Sequence, residues 1–209
     1  AVEDTTTALG DIAAFNRRRS AVSVVAITGS NGKTTTRELT NAIVTREFHT
    51  LSTLGNYNNQ IGVPLTLLNL ESKHELAVVE LGTNYPGEIA RLAEICSPDI
   101  GVITNIGPAH LEGLGTIEGI MREKGDLLKK LKPGGHSVLN ADDSRVKQMA
   151  RKTKSNVVLF GLSPDADIRA DEIREINGAI IFSLIHPDER VSIKLNSPAR
   201  FMIINALAA

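Results

Sequence analysis

The stretch VVAITGSNGKTTT, residues 24–36, limits what this chain can fold into more than any other. A short β-branched apolar run is what a strand buried on both faces of a parallel sheet looks like. It breaks into Gly29, Ser30, Asn31 and Gly32, then delivers Lys33, Thr34 and Thr35 at the start of a helix-forming segment. Glycines let backbone N–H groups curl around phosphate oxygens, and the helix N-terminus adds partial positive charge. Lys33 is placed to reach terminal phosphates, and the Thr34 hydroxyl to ligate Mg²⁺. The eight-residue P-loop signature asks for glycine at position 27, where this chain has Ile27, so only its shortened form is matched. The competing reading is a glycine turn with a surface lysine. The strand before it and the helix after it favour the phosphate loop.

Beyond the loop the same rhythm repeats. Thr34 to Phe48 predicts a helix, with Leu39, Ala42 and Ile43 at helical spacing. Strands are expected at 76–81, 100–106, 137–140 and 157–160, and helices at 88–95, 116–132 and 144–152. Alternation of this kind implies right-handed βαβ units around a parallel sheet. Ahead of it, residues 6–18 read as an amphipathic helix with Leu9, Ile12, Ala13 and Phe15 on or near one face. From about residue 165 the pattern changes to alternating runs around Asn177-Gly178 and Pro187-Asp188, a hairpin signal. The expected architecture is α/β: a mostly parallel sheet flanked by helices with a P-loop, plus a small antiparallel β subdomain. The expected boundaries are a linker helix at 1–20, the α/β core at 21–163, the antiparallel part at 164–197 and the start of a helix at 198–209. That last helix is cut off, which suggests a piece of a longer protein.

The 209 residues are 42% hydrophobic, enough for one sizeable core with a small subdomain. A net charge of −1 sets up no long-range attraction for nucleic acid or an anionic membrane. The single cysteine, Cys96, excludes an internal disulfide framework and fits a reducing, cytoplasmic setting. No run approaches the ~20 apolar residues of a membrane span, and the first twenty residues have acids before arginines, the wrong order for a secretory signal.

Two further candidates fall at the ends of expected strands, where open α/β sheets hold their ligands. Glu80 closes LAVVE; beside a phosphate loop it is a Mg²⁺ ligand or a group supporting one, and otherwise an edge carboxylate in solvent. His110 follows IGVITNI across Gly107-Pro108-Ala109; a lone histidine is more often structural than catalytic. Lys124 is the third clue. It completes the apolar spacing of Ile117, Ile120, Met121, Leu127, Leu128 and Leu131. An unpaired ammonium on a core-facing stripe is costly, so Lys124 either snorkels to solvent or has its charge changed or used near the site.

These residues, taken in order, resemble the Mur ligases of peptidoglycan synthesis. The resemblance rests on DTTTALGDIAAFNRRR, ITGSNGKTTTRE, GNYNNQIGVPLTLLNL, VVELGTNYPGEIARL, NIGPAHLEGLGTIEGIMREKGDLL, VLNADD and NALAA, and covers residues 4 to 209. The GNYNNQIGVPLTLL and ELGTNYPGEI stretches point to the branch that joins D-alanyl-D-alanine to UDP-N-acetylmuramoyl-tripeptide. The family has a UDP-binding N-terminal domain, a central ATPase domain and a Rossmann-like C-terminal domain; this chain looks like the central one, without the other two. The resemblance implies that ATP phosphorylates the peptide carboxylate to an acyl phosphate, which the incoming amine displaces. It implies that Lys33 and the backbone of Gly29 to Thr35 hold ATP phosphates, and that Thr34 with Glu80 holds one Mg²⁺. His110 matches a ligand of a second Mg²⁺, and Lys124 matches a lysine carbamylated in several members, which makes Lys33, His110 and Lys124 the expected catalytic residues. Asn205 matches an asparagine that contacts adenine. The asparagine usual three residues before it is Met202 here, next to Phe201, so one adenine contact is expected to be missing. A monomer is expected, inactive by itself. The alternatives are another Mur ligase, a folylpolyglutamate synthase-type ligase, or a non-catalytic P-loop nucleotide-binding module. A GTP switch is disfavoured because no Asn-Lys-x-Asp base-reading motif is present.

Overall fold

The computed structural model describes all residues, 1–209. One nine-stranded sheet runs through it in the order β2-β3-β1-β4-β5-β6-β7-β8-β9. Its left part comprises β1 (Ser23–Thr28), β2 (Thr50–Ser52), β3 (Leu76–Glu80), β4 (Ile100–Ile103), β5 (His136–Asn140) and β6 (Asn156–Gly161). All of their pairings are parallel. β7 (Ile168–Ile176) adds to β6 in parallel, then β8 (Ala179–His186) and β9 (Glu189–Leu195) continue antiparallel. The antiparallel section therefore extends the main sheet and is hydrogen-bonded to it.

The β1 strand shows why the sheet is buried on both faces. Val24 and Ala26 point into a 24-residue apolar cluster. That cluster is shared with α1 (Thr5–Arg18), α3 (Gly62–Leu68), α4 (Glu88–Cys96) and α6 (Ile117–Lys129). Val25 and Ile27 point the other way, into an 11-residue cluster completed by Phe160, Phe182 and α8 (Phe201–Ala208). α2 (Lys33–Val44) lies along β1 and β3 next to α8, while α5 (Leu111–Leu114) and α7 (Ser144–Ala150) are short.

The hairpin signal is realised directly. Asn177 and Gly178 link β7 to β8 with φ of 51° and 76°, the left-handed pair that a two-residue turn between twisted strands requires. Pro187-Asp188 makes the next two-residue link, between His186 and Glu189.

Two helix faces differ from the sequence expectation. α1 buries Gly10, Ala13, Ala14 and Arg17, leaving Ile12 and Phe15 more than half exposed. Small residues win there because α1 lies close against α4: a Cβ on Gly10 would sit 2.9 Å from Ile95 Cδ1. α2 buries Thr36, Arg37 and Thr40 instead of Leu39, Ala42 and Ile43. Its inner face is polar because it packs around a site, with Arg37 Nη1 donating to Gly55 O at 2.8 Å and Thr36 facing Asn205. β2 and α3 have no strong periodicity of their own and leave no mark in the sequence pattern.

Candidate functional site

β1 is the switch point of the sheet: the chain leaves it toward β2 and β3 on one side and returns to β4 on the other. A crevice opens at such a place beyond the carboxyl ends of the strands. A cavity of about 420 Å³ occupies it, with no hydrophobic residue in its wall. Ser30, Asn31, Gly32, Lys33, Thr34 and Thr35 form one wall, and Glu80 and His110 belong to it as well.

The loop is held open by backbone geometry and by β4. Gly29 has φ 151° and Gly32 has φ 81°, and a Cβ on Gly29 would come within 1.9 Å of Thr104 Oγ1. Thr104 Oγ1 and Asn105 Nδ2 both donate to Asn31 O, at 2.6 and 3.0 Å. Asn105 Oδ1 accepts from Asn31 N at 2.9 Å, and Ser30 Oγ donates to Gly107 O at 2.9 Å. The segment that continues β4 thus braces the loop and then carries His110. α2 makes its first helical bond from Thr36 N to Gly32 O at 2.9 Å, and Gly32 provides no side-chain cap. The amides just before Thr36 face the cavity as helix-end donors, the arrangement that receives an anion.

Lys33 folds back over its own loop, donating to Gly29 O at 2.9 Å and Ser30 O at 3.4 Å. Burial pulls its pKa below the usual lysine value, and the Glu80 charge partly restores it. Glu80 is 1% exposed, so it is no edge carboxylate in solvent. Its Oε2 accepts from Thr34 Oγ1 at 2.9 Å and its Oε1 from Asn58 Nδ2 at 2.8 Å, with Arg37 Nη1 3.9 Å away. Two hydrogen-bond donors and a guanidinium therefore face this buried carboxylate.

His110 has φ 55° and caps the short helix α5. Its pKa lies below the ordinary histidine value, first through desolvation and then through the charges of Lys124 and Lys33. Lys124 is 1% exposed, which rules out snorkelling. Burial, with help from Lys33, lowers its pKa to about 8, against a smaller opposing pull from Glu123. Glu123 is committed elsewhere: it accepts from Gly87 N, Ile89 N and Thr83 Oγ1 at 2.7, 2.7 and 3.1 Å, capping the N-terminus of α4. His110 thus feels the charges of both lysines, and Lys124 that of Lys33.

Gly29, Lys124 and Asn205 do not line the cavity. Asn205 is buried behind the loop: a Cβ on Gly32 would touch its Oδ1 at 2.4 Å, and Thr36 Oγ1 donates to that oxygen at 3.5 Å. Arg37, Asn58, Thr104, Asn105 and Glu123 shape the site and do not stand out in the sequence. Only Asn58 leaves a trace, inside the glycine- and asparagine-rich run GNYNN. The other partnerships are tertiary and have no local pattern. No group of three or more His, Cys, Asp and Glu side chains comes together as a metal centre. No helix is long and apolar enough to cross a membrane.

Comparison with known proteins agrees with this geometry. The Mur ligase middle domain family model matches residues 27–209. The UDP-N-acetylmuramoyl-tripeptide–D-alanyl-D-alanine ligase of Escherichia coli is 39% identical over 211 residues, covering 100% of this chain and 46% of the relative. The chain thus spans about half the length of that protein. A crystal structure of MurF from Acinetobacter baumannii superposes with TM-score 0.94 at 36% identity, covering 100% of this chain and 46% of that one. MurF ligase from Thermotoga maritima in complex with ADP gives TM-score 0.91 at 31% identity, covering 99% and 48%. With the phosphate loop, the Thr34–Glu80 pair and the topology of the sheet all in place, this chain belongs to the Mur ligase family and carries its middle domain.

Proposed function

We propose that this chain is the ATP-handling domain of a ligase that joins D-alanyl-D-alanine to UDP-N-acetylmuramoyl-tripeptide through an acyl phosphate. The observation that carries the reading is the Thr34 Oγ1–Glu80 Oε2 contact of 2.9 Å at the mouth of a loop whose leading amides are helix-end donors. The ADP complex of the Thermotoga relative supports nucleotide as the occupant of that loop. One hydroxyl and one buried carboxylate suit Mg²⁺, which takes few protein ligands and completes its shell with phosphate oxygens and water. Bound there, Mg²⁺ would neutralise charge on the phosphates as the γ-phosphoryl group transfers.

The chain's own residues do the rest. Lys33 leaves its two loop carbonyls to meet the terminal phosphates, and Asn58 and Arg37 fix the orientation of Glu80. His110, held neutral near pH 7, presents an imidazole lone pair. Lys124, with a pKa of about 8, is roughly a tenth neutral at pH 7. Its amine can add to CO₂, forming an N–C bond and releasing a proton, which would turn a buried cation into a carboxylate facing His110. Thr34, Glu80, His110 and carbamylated Lys124 would then serve two metal ions. Asn205 is assigned to the adenine side through the nucleotide-facing loop it supports.

A protein carrying this domain between the UDP-binding and Rossmann-like domains of the family tests the reading. Given ATP, Mg²⁺, both substrates and bicarbonate, it is expected to release one ADP per amide formed. ATP hydrolysis that proceeds without amide formation would argue instead for a P-loop module of another kind. The middle domain alone is expected to turn over little.

A further inference from the structure

A cavity of about 690 Å³ lies between α6 and the end of α7, within the range typical of small-molecule sites. It shares no residue with the phosphate cavity. Met121, Leu128, Leu131 and Met149 give it an apolar floor. Gly125 leaves the α6 wall bare: a Cβ there would rest 3.8 Å from Met149 Sδ, an ordinary contact, so packing does not force the glycine. In a helix interior that glycine costs about 1 kcal/mol relative to alanine, and what it secures is space.

The rim is basic. Arg122, Lys129, Lys132, Lys152 and Lys154 line it, against Glu118 as the single acid. Lys129 and Lys132 are paired with Asp126 and Asp99, whereas Arg122, Lys152 and Lys154 make no ion pair. The neighbouring stretch SRVKQMARKTKS, residues 144–155, has five cations and no acid in a chain whose net charge is −1. Unpaired, exposed cations around an apolar floor set a positive potential at a concave place. A ligand complementary to it needs both an apolar body and negative charge.

We propose that the α6–α7 cavity is a second ligand site, shaped for a small organic anion with an apolar, ring-sized body. The chain supplies its own reporters, because two of its three methionines line the cavity and Met202 sits on α8 across the sheet. With methyl-¹³C-methionine, titration of 8-anilinonaphthalene-1-sulfonate should shift Met121 and Met149 saturably and leave Met202 in place. Lys152→Glu with Lys154→Glu should weaken that binding about tenfold or more, and the neutral N-phenyl-1-naphthylamine should bind less tightly and ignore the charge reversal. Gly125→Leu should fill the cavity and abolish the shifts, with an unchanged Met202 signal reporting a native fold. Shifts of all three methionines or of none, or equal affinity in the charge-reversed protein, would overturn the proposal.

Discussion

The two ends of the sheet solve different problems with the same backbone pairing. Around β1, β3 and β4, strands are buried on both faces, and buried polarity gathers at their carboxyl ends: Thr28, Glu80 and Thr104 are each at most 1% exposed. Around β8 and β9, one face packs on Phe160 and Ile203, the other meets solvent, and the residues alternate accordingly. Parallel strands must send the chain back across the sheet, so their ends collect loops and helix N-termini in one crevice. Antiparallel strands turn round in two residues and collect nothing. Chemistry is concentrated at β1 because topology brings donors from distant segments together there.

Glycine substitutions should break this comparison most sharply. Gly29→Ala places a Cβ 1.9 Å from Thr104 Oγ1, far inside contact distance, and should cost about 2–4 kcal/mol together with all measurable nucleotide binding. Gly178→Ala in the β7–β8 turn has φ 76° but no atom within 4 Å of the new Cβ. It should cost about 1 kcal/mol of left-handed strain and leave nucleotide affinity unchanged. Urea unfolding and calorimetric titration of both variants distinguish the two outcomes; equal effects on binding would erase the contrast.

Glu80→Gln comes next. The amide keeps the shape and removes the charge opposite Arg37 and Thr34, so Mg²⁺-dependent affinity for ATP should fall about 100-fold while stability falls only about 1–2 kcal/mol. Normal Mg²⁺ dependence in a destabilised variant would make Glu80 structural.

Lys124 gives a smaller, pH-dependent effect. Its folded pKa of about 8 lies below the ordinary 10.5, so between those values the unfolded chain binds more protons, and stability rises with pH across that window. Below it, the buried ammonium costs up to about 3 kcal/mol. Lys124→Met should therefore stabilise the unmodified domain near pH 7 by about 1–3 kcal/mol and flatten the rise between pH 8 and 10.5. Denaturant melts at several pH values check this, and an unchanged profile would refute the assignment. The smallest effect belongs to the far end of the sheet: Arg190→Ala removes an exposed ion pair with Glu172 and should move Tm by no more than about 1 °C.

The contrast also explains what could be read from sequence. The phosphate loop was legible because strand, glycines, lysine and helix are contiguous, and Lys124 because a charge interrupts an apolar stripe. The Asn177-Gly178 turn was legible for the same local reason. The face of α2 was not, because helical periodicity marks apolar burial and this helix turns Thr36, Arg37 and Thr40 inward to polar partners. Asn58 holds Glu80 across 22 residues and Thr104 holds Asn31 across 73; pairings at that separation have no period to detect. Ile12 and Phe15 misled because the tight approach of α1 to α4 selects glycine and alanine over larger side chains.

The most direct test of the central claim, that the β1 loop is a nucleotide site, is titration of ATP into the chain with and without Mg²⁺, for the native sequence and for Lys33→Ala. The native chain should bind ATP in a Mg²⁺-dependent manner, and Lys33→Ala should weaken that binding at least about tenfold while keeping its fold, since the lysine touches only two carbonyls of its own loop. Equal ATP affinity in the two proteins would contradict the account.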